Sequence, residues 1–250
     1  MTARDQQLVL SGGTLQTPFA EAYRALRTNI TFSSGGEVRA VLVTSGTSAE
    51  GKSTTVANLA ILMAQAGQRV IALDADFRRP SLHRLLPTNG SGHRAAGVDG
   101  FWQRDGAEPV RLGLSDLILG TATHVEVAQS VEGVDNLCLV PTGVIPPNPA
   151  ELLASARMRD VIVELCDHAD VVLLDSPPCG MYSDAVELTQ VTDGILYVLR
   201  SGPQAGVNHL RTLKQLQQGK ARLIGVVMNQ VAGSPGGYGT RYGSGTASHG

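Results

Sequence analysis

Cysteine is scarce in this chain, and its placement excludes more than its number. Cys138, Cys166 and Cys179 form no C-x-x-C pair. A disulfide framework is therefore excluded, and a reducing cytoplasm is the expected compartment. Cys138 falls in an expected strand and Cys166 in an expected helix, so both read as small core residues. Cys179 follows a strand end, where a plain loop residue outweighs a redox switch. Histidine is sparse as well. His83, His93, His124, His168, His209 and His249 are nowhere paired at metal-ligand spacing, which argues against zinc and leaves surface or capping roles. Neither charge sign dominates. A net charge of −2 gives no general affinity for nucleic acid or anionic membranes. Apolar runs long enough to span a bilayer are missing, and the opening MTARDQQLVLSGG lacks the apolar core of a signal peptide.

What is present suits one α/β domain. The chain has 250 residues, 42% of them hydrophobic and 17% charged, enough for a proper core. Apolar, β-branched runs predict strands over 38–45, 69–74, 136–140, Val171–Asp175, 195–199 and 223–228. Helices are expected over 18–31, 53–66, Leu114–Leu119, 150–169 (in two pieces) and 204–217. Strands that are apolar throughout and alternate with helices predict a mostly parallel sheet covered by helices on both faces. Residues 1–17 read as a flexible N-terminus and 18–231 as the folded domain. Within it, 87–111 is a polar, glycine-rich loop carrying Phe101 and Trp102. The tail 232–250 holds seven glycines and is expected to be disordered.

The strongest local signal is Gly46-Thr47-Ser48-Ala49-Glu50-Gly51-Lys52-Ser53, a full G-x-x-x-x-G-K-[ST] match. A glycine turn with a chance lysine would also fit the letters. The flanks decide against it: a β-branched run precedes the motif. Val56, Leu59, Ala60 and Met63 follow at i, i+3, i+4 and i+7. Strand, loop and helix together aim backbone N–H groups and a helix N-terminus at phosphates. The expected nucleotide-binding set is Gly46, Glu50, Gly51, Lys52, Ser53 and Thr54. Lys52 reaches the terminal phosphates and the Ser53 hydroxyl ligates Mg²⁺.

Two further motifs end expected strands. Asp74-Ala75-Asp76-Phe77-Arg78 follows Val70 to Leu73, and Asp175-Ser176-Pro177-Pro178 follows Val171 to Leu174. Asp74 and Asp76 are two apart and share a side of an extended segment. Taken singly, each Asp reads as a helix-capping turn residue. Beside a phosphate loop, at the carboxyl ends of parallel strands, they suit a hard cation. Phosphoryl transfer is mostly positioning and charge neutralisation, so three carboxylates beside Lys52 are what it requires. ATP and Mg²⁺ are the cofactors this combination calls for.

With these motifs in hand, residues 18–230 resemble the bacterial tyrosine kinases of the polysaccharide-synthesis type, the CpsD/CapB-like autokinases. Leu73 to Arg78 is similar to that family's second Walker-type signature, continued by Arg79-Pro80-Ser81-Leu82-His83. Asp175-Ser176-Pro177-Pro178 resembles its Walker B. The stretches Leu139 to Gly143 and Pro146 to Leu153 also match it. Glu21-Ala22-Tyr23-Arg24-Ala25-Leu26-Arg27 is similar to the E-x-x-R-x-x-R element that joins subunits into a ring. The resemblance implies a P-loop NTPase fold related to ParA and MinD. It implies a protein-tyrosine autokinase regulating capsular or exopolysaccharide synthesis. It makes Lys52, Asp74, Asp76 and Asp175 the candidate catalytic residues and Ser53, Asp76 and Asp175 the candidate metal ligands, with Asp74 a candidate base or positioner for the attacking hydroxyl and Arg78 a holder of its segment or of the phosphates. Glu21, Arg24 and Arg27 become candidate ring contacts; by themselves, three charges on one helical face read as solvated. Tyr238 and Tyr242 become the candidate autophosphorylation sites. The implied partners are further copies in a homo-oligomeric ring, a separate membrane activator or polysaccharide co-polymerase, and a tyrosine phosphatase. Such a partner recruits a cytoplasmic chain to the inner face of the membrane; nucleic acid is not expected.

The chain departs from that family at Ala49, where glycine is usual, at Ser48, where proline is common, in the length of 87–111 and in its tyrosine-poor tail. Two other readings stay open at this level. One is a ParA/MinD-like positioning ATPase, although the lysine expected early in its loop is absent. The other is an ATP-binding scaffold that transfers no phosphate.

Overall fold

Alternating apolar side chains on short, β-branched segments can be buried on both faces only if helices cover both faces. The computed structural model shows that arrangement. It describes residues 9–10, 16–34, 38–88, 112–202, 207–217 and 221–231. The segment 89–111, the tail 232–250, and with them Phe101, Trp102, Tyr238 and Tyr242, lie outside the described residues.

Among the described residues the chain runs α1 (Pro18–Ser34), β1 (Ala40–Ser45), α2 (Lys52–Gln65), β2 (Val70–Asp74) and α3 (Leu82–Leu85). It continues through α4 (Leu114–Leu119), α5 (His124–Val127), β3 (Gln129–Ser130), β4 (Leu137–Val140), α6 (Pro149–Leu153) and α7 (Ala156–His168). Next come β5 (Val171–Asp175), α8 (Asp184–Leu188), β6 (Gly194–Arg200), α9 (Val207–Leu216) and β7 (Arg222–Asn229). The strands form one sheet in the order β3-β4-β2-β5-β1-β6-β7. All pairings are parallel except the two-residue edge strand β3, which runs antiparallel to β4.

Side-chain alternation along each strand separates two cores. Val41, Val43, Val70, Ala72, Val171 and Leu173 face α1 and α2. Ala40, Leu42, Ile71, Leu73, Val172 and Leu174 face α4 and α7. Leu10 is seated in the first core, and its N–H donates to Asn58 Oδ1 at 2.7 Å. Thus part of the N-terminal stretch expected to be loose is pinned by a buried hydrogen bond.

Short elements escaped the sequence pattern. Helices α3, α5 and α8 and strand β3 are two to five residues long, too short to show a period. The break between α6 and α7 falls at Ser155, whose Oγ accepts the Met158 N–H at 3.2 Å as an N-cap.

Register brings the site together. Asp74 pairs with Asp175 across β2 and β5, and Asp175 pairs with Val43 across β5 and β1. Three neighbouring strands therefore end side by side. Their carboxyl ends form the crevice in which open α/β sheets receive ligands.

Candidate active site

The phosphate loop leaves β1 at Ser45 and enters α2 at Lys52. Gly51 sits at φ 94°, a left-handed conformation that costs a side chain strain. It also has no room: a Cβ there would lie 1.9 Å from Asn229 Nδ2. That amide donates to Glu50 O at 2.9 Å, so the end of β7 fastens the loop. Asn229 was not singled out from the sequence. Its place at the carboxyl end of a parallel strand is the signal that could have found it. Ala49 is also left-handed, at φ 62°. A residue with a Cβ carries about 1–2 kcal/mol of strain there.

Gly51, Lys52, Ser53, Thr54, Ser81 and Gln230 help line a pocket of about 370 Å³. Gly46 and Glu50 are not among its walls. The Glu50 side chain is buried and turned inward, with Oε2 accepting the Thr47 N–H at 3.1 Å. Only the Glu50 main chain is left for phosphates. Ser81, from the stretch after the second motif, donates to Ser53 Oγ at 2.7 Å.

The three aspartates are all buried, with different partners. Asp74 accepts N–H groups from Asp76 (3.2 Å), Ser81 (3.0 Å) and Leu82 (3.0 Å). Burial pushes its carboxyl up to about 6, against those stabilising hydrogen bonds. Asp76 uses Oδ1 to accept from Arg78 N at 3.1 Å and Arg79 N at 2.9 Å. Asp175 has no exposed surface, and neither of its oxygens has a hydrogen-bond partner. Burial, then the nearby Asp74, hold its carboxyl well above the usual range. The Ser53 hydroxyl and the Lys52 ammonium are near enough to oppose that shift, although Ser53 does not close a hydrogen bond onto either oxygen.

Arg78 serves its segment. Its Nε and Nη2 donate to the two oxygens of buried Asp184 at 3.0 and 3.1 Å, and its guanidinium carbon lies 4.9 Å from the Tyr182 ring centroid. This fork ties the turn after β2 to the segment after β5. Cys179 is a buried loop residue whose Sγ donates to Ser45 O at 3.1 Å. Burial pushes its thiol up to about 11, which makes it a poor nucleophile. His209 departs from the expected surface or capping role: it is buried, because α9 packs it against Tyr197.

Away from the pocket, Glu21 and Arg24 pair on α1. Arg27 donates Nη1 to Leu62 O at 3.1 Å near the end of α2. The sequence placed all three on one face; the fold also engages Arg27 within its own subunit.

Comparison with known proteins agrees with this fold. Residues 41–238 match the family model described as the CobQ/CobB/MinD/ParA nucleotide binding domain. The tyrosine-protein kinase YwqD of Bacillus subtilis is 34% identical over 211 residues, covering 84% of this chain and 80% of that protein. Among solved structures, the chimerical protein CapA2B2 superposes with a TM-score of 0.74 at 28% identity, covering 89% of this chain and 92% of that one. The kinase domain of the Escherichia coli tyrosine kinase ETK gives 0.71 at 29% identity, with 90% and 80% covered.

Proposed function

This chain belongs to the CobQ/CobB/MinD/ParA nucleotide-binding domain family and, within it, to the bacterial tyrosine-protein kinases; from that premise we propose that it transfers the terminal phosphate of ATP to tyrosines of its own kind, in the control of capsular or exopolysaccharide synthesis. The observation that carries this reading is Asp175. A fully buried carboxylate with two unpartnered oxygens, next to two further carboxylates, costs the fold stability. A divalent cation would remove that cost. The donors are oxygen only, which suits Mg²⁺. Among the described residues no three His, Cys, Asp or Glu side chains converge as a ready-made cage. Mg²⁺ is commonly held by one or two carboxylates together with substrate phosphates and water. Asp175, Asp76 and the Ser53 hydroxyl are its proposed ligands, and its role is to neutralise charge on the phosphates.

The chain's own residues do the rest. Backbone N–H groups of the loop and the start of α2 cradle the phosphates. Lys52 meets the terminal phosphate. Asp74 acts as a positioner, because its carboxylate gathers the three N–H groups that shape the turn carrying Asp76 and Ser81.

The described tyrosines are poorly placed to accept phosphate. Of the five tyrosines, Tyr197 and Tyr23 are buried, and Tyr182 is half-buried beside Arg78. Tyr238 and Tyr242 are the proposed acceptors, modified between subunits. The test mixes a Lys52→Met full-length chain with an active chain truncated after residue 231. Phosphate is expected on Tyr238 and Tyr242 of the Lys52→Met chain by mass spectrometry. A blank there, or phosphate confined to Tyr23, Tyr182 or Tyr197, rejects transfer to the tail. Each phosphate adds about −1.5 to −2 charges at neutral pH, so crowded tails repel and the assembly loosens.

That assembly is a ring of copies joined through Glu21, Arg24 and Arg27. Replacing all three with Ala is expected to move the particle towards monomer in light scattering while helix content is unchanged. Truncating buried interface charges costs about 2–5 kcal/mol, enough to dissociate a moderately tight ring. An unchanged mass leaves these residues as a solvated face. Among the described residues no helix is long and apolar enough to cross a membrane. The family reading supplies the proposed route to the inner face of the membrane: a separate membrane activator or polysaccharide co-polymerase, with a tyrosine phosphatase to reverse the modification.

A further inference from the structure

A buried polar chain behind the phosphate loop has no task in the phosphotransfer reading. The Tyr197 hydroxyl of β6 is 2.9 Å from Nδ1 of His209 on α9. Their rings meet edge to face, with centroids 5.8 Å apart. The other ring nitrogen, Nε2, is 3.4 Å from Glu50 Oε1. Glu50 Oε2 accepts the Thr47 N–H. Exposure is 0% for Tyr197, 8% for His209 and 4% for Glu50. Sealing three polar side chains costs stability that apolar packing would not, unless each finds its partner. The chain also reaches the loop by contact: a Cβ on Gly46 would lie 2.6 Å from the Tyr197 hydroxyl and 2.8 Å from His209 Nδ1. The loop is thus held at its first glycine by shape and at Thr47 by the Glu50 carboxylate, which His209 approaches from behind.

We propose that His209 is a positioning residue for the phosphate loop, joining Tyr197 to Glu50 so that the loop's N–H groups are preset for phosphate. The inference rests on the nucleotide-site reading of that loop. His209 touches no substrate. It acts through Glu50, whose main-chain oxygen is also fastened by Asn229 at 2.9 Å. The loop is therefore clamped from β6 and α9 on one side and from β7 on the other. A histidine that merely fills space would not require Glu50 to be present for its effect.

The test measures Mg-ADP affinity by calorimetry and KM and kcat for ATP on the full chain. The variants are His209→Ala, His209→Gln, Glu50→Gln and the double variant His209→Ala/Glu50→Gln. Thermal melts of each establish that the fold is kept. His209→Ala is expected to raise KM and the Mg-ADP dissociation constant by roughly tenfold, with a smaller change in kcat, because small misplacements of phosphate-binding groups are costly. His209→Gln is expected to recover most of the loss, since its amide can accept from Tyr197 and donate to Glu50. In the Glu50→Gln background the His209→Ala step is expected to add little. Unchanged affinity in His209→Ala, no recovery in His209→Gln, or additive losses in the double variant overturns the proposal. Failure of the wild-type chain to bind Mg-ADP overturns the nucleotide-site reading, and the positioning role with it.

Discussion

Lys52→Met is expected to abolish phosphotransfer, lowering turnover by on the order of a hundred- to a thousand-fold, as for other single preorganised electrostatic contacts. Lys52 is the first residue of α2 and is buried at the pocket that the loop encloses. Its ammonium lies near the Asp175 carboxylate. In so poorly solvated a position a cation interacts with a phosphate far more strongly than it does in water. Methionine keeps the aliphatic stem and the helical start, so the fold is retained while the charge is lost. Phosphotyrosine formation and ATP hydrolysis, each followed by mass spectrometry or product release, check this. Near wild-type turnover in the variant would remove Lys52 from the site.

Asp175→Asn is expected to move stability and activity in opposite directions. The folded carboxyl is held well above its ordinary value of 3.8, first by burial and then by Asp74. The folded state therefore binds this proton more tightly than the unfolded chain does. Its penalty is absent below about pH 4, grows as pH rises through the raised value, and is complete above it. Asp74, held up to about 6, adds to the same trend. Asparagine is never charged. In nucleotide-free protein the substitution should raise the melting temperature by several degrees at pH 8 and by little at pH 4. Phosphotransfer should fall by about two orders of magnitude or more, because a metal-holding charge is gone. Saturating Mg-nucleotide should stabilise the wild-type chain more than the variant. Scanning calorimetry at the two pH values, with and without Mg-ADP, reads all of this. An Asp175→Asn chain that melts below the wild type at pH 8 would mean that the aspartate is internally paired and has no metal to hold.

The phosphate loop, the two aspartate motifs and most of the parallel strands were determined by the sequence alone. Each depends on residues close together in the chain: a fixed spacing such as Gly46 to Ser53, or a continuous apolar run such as Val171 to Leu174. Such patterns survive in one dimension because a strand or a helix start is a local object. The tertiary structure alone decided what each polar group meets. As letters in a chain, Asp74, Asp76 and Asp175 share one chemistry. Only the pairing of β2 with β5 brings Asp74 beside Asp175, and the turn back to Ser81 and Leu82 then satisfies the first while leaving the second without a partner. Glu50 read as part of the nucleotide set, yet its side chain meets His209, which follows several strands and helices later. Arg27 read as a ring contact, yet it also reaches Leu62. Asn229 carried no motif, and its role at Gly51 exists because β7 ends beside the loop. These contacts join residues far apart in the chain. Hydrogen bonds and desolvation act over a few ångströms of space, so strand register and helix packing, which sequence spacing does not encode, determine which groups they join.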